Sequence, residues 1–145
     1  MGQIMTDRLQ RLADMAMIIA PPDAVSEEEF GFTLEANGET LSFFAPGGET
    51  EVAYCRALVG LSDGRKCPVD FAEAALEGNL FWRGTEGAVL SLNLDENAVY
   101  LTDRFDAGAF ADENEFRGYL NGFLRTLFDW QKRFNSSLTE TEVAR

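Results

Sequence analysis

The chain has 145 residues, 46% of them hydrophobic and 12% aromatic, enough to fill one core and too apolar for general disorder. Its 25 acidic residues against 12 basic ones give a formal net charge of −13, which repels phosphate backbones and anionic lipid. Nucleic acid and membrane are therefore excluded as expected partners, and the absence of histidine removes every triad and metal site built on imidazole.

Met5, Leu9, Leu12, Ala16 and Ile19 recur at helical spacing and predict an amphipathic helix over 3–19, closed by Pro21 and Pro22. Its "MAMIIA" end is interrupted upstream by Asp14 and lacks the flanks of a secretory signal, so a cytoplasmic protein with reduced Cys55 and Cys67 is expected. Phe30, Phe32 and Leu34 then alternate as a half-buried strand does. Asn37-Gly38 is a two-residue hairpin turn, and Leu41 and Phe43 carry the return strand as far as Pro46-Gly47-Gly48. "EVAYCRALVGL" (51–61) is apolar on nearly both faces and reads as a central strand.

Pro68 opens a short helix from Val69 to about Glu77. Gly78-Asn79 is expected to stop it, because both residues tolerate the left-handed conformation. A second hairpin follows. Ala88, Leu90, Leu92 and Leu94 share one face, Asp95-Glu96-Asn97 turns the chain, and Val99, Leu101 and Phe105 line the return. From Asp112 to Phe134, Phe116, Leu120, Phe123, Leu127, Trp130 and Phe134 keep helical spacing, with Tyr119, Leu124 and Phe128 widening the stripe. The expectation is an α+β fold in the order α-β-β-β-α-β-β-α: an antiparallel sheet of about five strands flanked by three helices. Residues 1–134 form a single domain in this reading, and 135–145 a mobile tail.

Catalytic chemistry finds little to use. Cys55 sits in an apolar strand pattern and reads as an inert buried thiol. Glu27-Glu28-Glu29 reads as a solvated run, and Asp112-Glu113 as a helix N-terminus. "GGETE" and "GTEG" lack the lysine and the setting of a phosphate loop, and "NSS" at 135–137 is a glycosylation sequon only in a secreted chain. No enzyme activity, no cofactor and no metal are expected, which leaves a binding module.

One segment carries a resemblance. "AALEGNLFWRGTEGAVLSLNLDENAVYLTDRF", followed by "FRGYLNGFLRTLFDWQKRF", resembles the class I type III secretion chaperones of the Tir-chaperone (CesT-like) family. The matching positions are Leu76, Asn79, Leu80, Phe81, Gly84, Gly87, Ala88, Leu90, Leu92, Val99, Leu101, Phe116, Leu120, Phe123 and Trp130. The resemblance implies a cytoplasmic, non-catalytic homodimer that binds an extended N-terminal segment of a secreted effector and keeps it competent for secretion. With it comes an expected dimer interface on the middle helix and the 88–94 strand, carried by Ala72, Ala75, Leu76, Leu80 and Phe81. Client-binding candidates are Met5, Leu9, Leu12, Phe30, Phe32 and Trp82, with the exposed edge of the first hairpin open to a client strand. Two ambiguities stand. Phe81-Trp82 is either a core plug or an interface, and the stripe through Leu9 is either groove or core. A stand-alone scaffold or small-ligand binder of similar fold is the alternative function.

Overall fold

Thr6 caps the first helix. In the computed structural model, which describes residues 6–45, 51–61, 68–82 and 84–143, its hydroxyl accepts the Leu9 N–H at 3.3 Å. Helix α1 (Asp7–Ile19) follows, then a 3₁₀ turn (Pro22–Ala24) and strands β1 (Val25–Glu27), β2 (Gly31–Ala36), β3 (Glu39–Phe44) and β4 (Val52–Leu61). Helix α2 (Val69–Asn79) runs into a second 3₁₀ turn (Leu80–Trp82), and β5 (Val89–Asn93), β6 (Ala98–Asp106) and helix α3 (Glu113–Val143) complete the order. The strands form one antiparallel six-stranded sheet in the order β1-β2-β3-β4-β6-β5. The expected α+β class and helix order hold, with one strand more than the sequence suggests.

That extra strand is β1. It pairs Val25, Ser26 and Glu27 with Leu34, Thr33 and Phe32, and three residues are too few to display an alternation. Its position corrects the expectation of an open edge on the first hairpin, because the outer edge of β2 is already taken. Asn37 (φ 52°) and Gly38 (φ 81°) adopt the paired positive angles that a type I′ turn requires.

The contacts fall into two groups, with β4, β6 and α3 running through both. The first comprises residues up to Ala57 together with Asp103–Gly122. Here α1 packs on β1 and β2, burying Leu9, Leu12, Ala13, Met15 and Ala16. Phe32 and Phe43 stack at 4.8 Å, and Phe43 meets the edges of Phe105 and Phe116. Arg11 ties α1 to the approach of α3 by donating to the carbonyls of Phe110 and Ala111 at 3.0 and 3.1 Å. Asp112 caps α3 by accepting the Glu115 N–H, while the Glu115 carboxylate accepts the N–H of Ala111, one residue before the cap.

The second group comprises Leu58–Thr102 and the chain from Phe123 onward. Phe71 on α2 meets the rings of Trp130 and Phe134 edge-on at 6.0 and 5.0 Å. Gln131 donates to the Leu58 carbonyl at 3.1 Å. The α3 stripe is buried at Phe123, Leu124, Leu127, Trp130 and Phe134, but Phe128 lies on the exposed side. The helix also continues nine residues past the expected end at Phe134, since no glycine or proline between 123 and 143 stops a helix already nucleated by packing.

Candidate partner-binding site

The end of α2 is shaped by close approach. A Cβ on Gly78 would meet the Trp130 ring at 2.6 Å, and one on Gly84 would meet the Gly78 Cα at 2.8 Å. Gly84 donates its N–H to the Gly78 carbonyl at 3.1 Å, and its own carbonyl accepts the Trp130 indole N–H at 2.9 Å. The two glycines thus let the chain fold back against one tryptophan. This corrects the reading of Gly78-Asn79 as a left-handed helix stop: neither residue has positive φ, and α2 includes both. Asn79 instead turns its carboxamide onto β5, accepting the Leu90 N–H at 2.9 Å and donating to the Leu90 carbonyl at 3.0 Å.

With α2 anchored this way, its outer face and β5 enclose a groove of ≈ 270 Å³. Ala72, Ala75, Leu76 and Asn79 form one wall, and Leu90, Leu92 and Val99 the other. No charged side chain lines it among the described residues. Two of its lining residues are open to solvent, Leu76 at 73% and Leu92 at 44%, and the chain nearby in sequence also exposes Leu80, Trp82 and Leu94. Leu92 and Leu94 continue the alternation of Ala88 and Leu90, so the strand's core face runs off the core and into the open. So much adjoining apolar surface marks an interaction face. A second cavity, ≈ 340 Å³, lies on the other flank of α2 between Ala74, Glu77, Gly78, Leu80, Gly84 and Arg133.

The expected interface residues therefore divide. Ala72, Ala75 and Leu76 share the groove, Leu80 borders the second cavity, and the Phe81 side chain lies outside the described residues. Trp82 is 54% exposed with φ of 58°, so it is no core plug; Trp130 fills that role. The client-binding candidates divide as well. Leu9, Leu12 and Phe32 are at most 1% exposed and lie in the core in this conformation. The Leu9–Leu12 stripe faces inward because α1 packs its apolar side on β1 and β2. Phe30, in contrast, is exposed beside β2, as are Met17 and Ile18 on α1. Met5 and Cys67 lie outside the described residues.

Cys55 is fully buried, and burial pushes its thiol well above the ordinary value, with the Asp103 charge adding to the shift. No group of three metal-ligating side chains occurs among the described residues, and no described helix is long and apolar enough to cross a membrane. Thr85, which the sequence does not single out, is 1% exposed and bonds Ala88 with both its hydroxyl and its carbonyl.

A family model described as the Tir chaperone protein (CesT) family matches residues 27–131. The chain belongs to the Tir chaperone family. The matched span contains α2, the groove and both hairpins. No curated protein sequence matches this family member. Among solved structures, it is similar to a chain of the ExsC–ExsE complex, with 16% identity and a TM-score of 0.67 over 86% of this chain and 93% of that one. It is also similar to a chain of the HopA1–SchA chaperone–effector complex, with 13% identity and a TM-score of 0.60 over 86% and 94%. At such identities the likeness is one of fold, and it extends over nearly the whole of each neighbour.

Proposed function

We propose that this Tir-chaperone family protein is a non-catalytic type III secretion chaperone. In this reading it works in the cytoplasm as a homodimer and holds an N-terminal effector segment extended and ready for export. The family match over residues 27–131 carries the reading. Two proteins of the same fold were solved in complexes, one of them a chaperone–effector complex, and this adds support. The α2–β5 groove is the proposed dimer interface, with Ala72, Ala75 and Leu76 in the groove and Leu80 and Phe81, which follow α2, completing the proposed contact. Residues 1–134 act as one working domain in this proposal. A scaffold or small-ligand binder is not favoured, since the family is one of chaperones.

The client contacts proposed are Phe30 and Trp82, which have surface to offer, together with Met5. Leu9, Leu12 and Phe32 serve as core residues in this proposal. A net charge of −13 keeps such an apolar surface soluble and favours a client with neutral or basic flanks. The test is purification of the tagged chain from its native host followed by mass spectrometry. One or a few exported proteins should co-purify, and removing the N-terminal segment of such a protein should abolish capture. Recovery of no exported protein, or capture that survives the truncation, counts against the proposal.

A further inference from the structure

β5 is the last strand of the sheet, so its outer side would ordinarily present unpaired N–H and C=O groups to any passing strand. Antiparallel pairing with β6 turns alternate residues outward. Leu90 is one of these, because its N–H and C=O both go to Asn79. Alternation puts Ala88 and Leu92 on the same side. Ala88 is occupied as well: its N–H donates to the Thr85 carbonyl at 3.1 Å, and its C=O accepts the Thr85 hydroxyl. Thr85 is only 1% exposed, so this bond is shielded from water. Two consecutive outward positions are thereby closed by residues that belong to no strand.

We infer that Asn79 and Thr85 form a built-in block that closes the Ala88–Leu90 stretch of the β5 edge to strand addition, so that a partner in the groove beside it meets this stretch through side chains alone. Asn79 imitates a strand, offering one acceptor and one donor at the spacing of a peptide group. Thr85 does the same with a backbone carbonyl and a hydroxyl. The need for a block follows from the neighbourhood: an open edge beside exposed Leu92 and Leu94 would invite edge-to-edge pairing between copies. The closure stands on these hydrogen bonds alone and holds whether or not the chaperone reading does.

The test is an Asn79→Leu/Thr85→Val double variant, which keeps each side chain's branching but frees both Leu90 groups and the Ala88 carbonyl. With a parental circular dichroism spectrum, it should sediment as assemblies that grow with concentration beyond the parent's mass. Adding Val89→Lys, a charge on the edge strand away from the groove lining, should return the parental mass. A folded double variant with unchanged mass overturns the inference, and so does growth that Val89→Lys leaves intact. Should the double variant not fold, amide exchange on the parent decides. Leu90 and Ala88 should exchange about tenfold or more slowly than Leu92, and equal rates overturn the block.

Discussion

Cys55, Tyr119 and Asp103 form a small polar group inside the first contact group. The Tyr119 hydroxyl donates to the Asp103 carboxylate at 2.7 Å. Burial pushes Tyr119 far above its ordinary 10.0, with the neighbouring Cys55 and Asp103 adding to the shift. The Cys55 thiol rises above its ordinary 9.0 for the same leading reason. Both are acids kept neutral by the fold, so the native state holds protons that the unfolded chain releases in alkali. Their contribution to stability is complete below pH 9.0 and falls as pH climbs through 9.0 and then 10.0. Each group adds a slope of about 1.4 kcal/mol per pH unit above its unfolded value. Urea unfolding should therefore show a flat neutral region and a steep alkaline limb. Tyr119→Phe should cost about 1 kcal/mol at neutral pH and flatten the limb above pH 10.0. An unchanged alkaline slope in that variant contradicts the account.

At the scale of elements, α1 shows two faces of opposite character. Leu9 is 1% exposed beneath the helix and Ile18 is 65% exposed on it. Leu9→Asp removes a packed leucine and leaves an unpaired carboxylate in an apolar site, so it should cost more than about 3 kcal/mol and depress the thermal midpoint sharply. Ile18→Asp should stay within about 0.5 kcal/mol of the parent. Thermal melts of the two variants side by side check this. Equal midpoints would mean that α1 does not bury Leu9 in solution. The pair also serves the functional question, since only the exposed position can alter client binding without unfolding the helix.

For the whole molecule, the decisive quantity is the mass in solution. The parent should sediment at twice its 16.1 kDa at micromolar concentration. Leu76 is 73% exposed in the protomer, so Leu76→Asp leaves the fold alone. In an isologous interface one substitution acts twice, removing about 1.5–3 kcal/mol of burial per copy and placing two carboxylates in an apolar groove. The variant should therefore be a folded 16.1 kDa monomer. If parent and variant both run as monomers, the α2–β5 groove is not a dimer interface.

Periodicity alone was enough to read α1, the two hairpins, the central strand and α3, because each buries one continuous face and displays it as a repeat in the sequence. The chaperone resemblance was legible in the same way, as an order of ordinary residues between Leu76 and Trp130. The absence of histidine narrowed the chemistry before any fold was known. Other features were settled by contacts between distant residues. β1 has only three residues, and it is the pairing with β2 that makes it a strand. Leu9 and Trp82 are both large and apolar, yet one is core and the other exposed, since burial depends on what packs opposite. Gly78 and Asn79 read locally as a helix stop. Only the approach of Trp130, fifty-odd residues away, and of the Leu90 backbone reveals one as a contact point and the other as the partner of a strand edge. Local propensity sees the neighbours in the chain, and the tertiary structure supplies the neighbours in space.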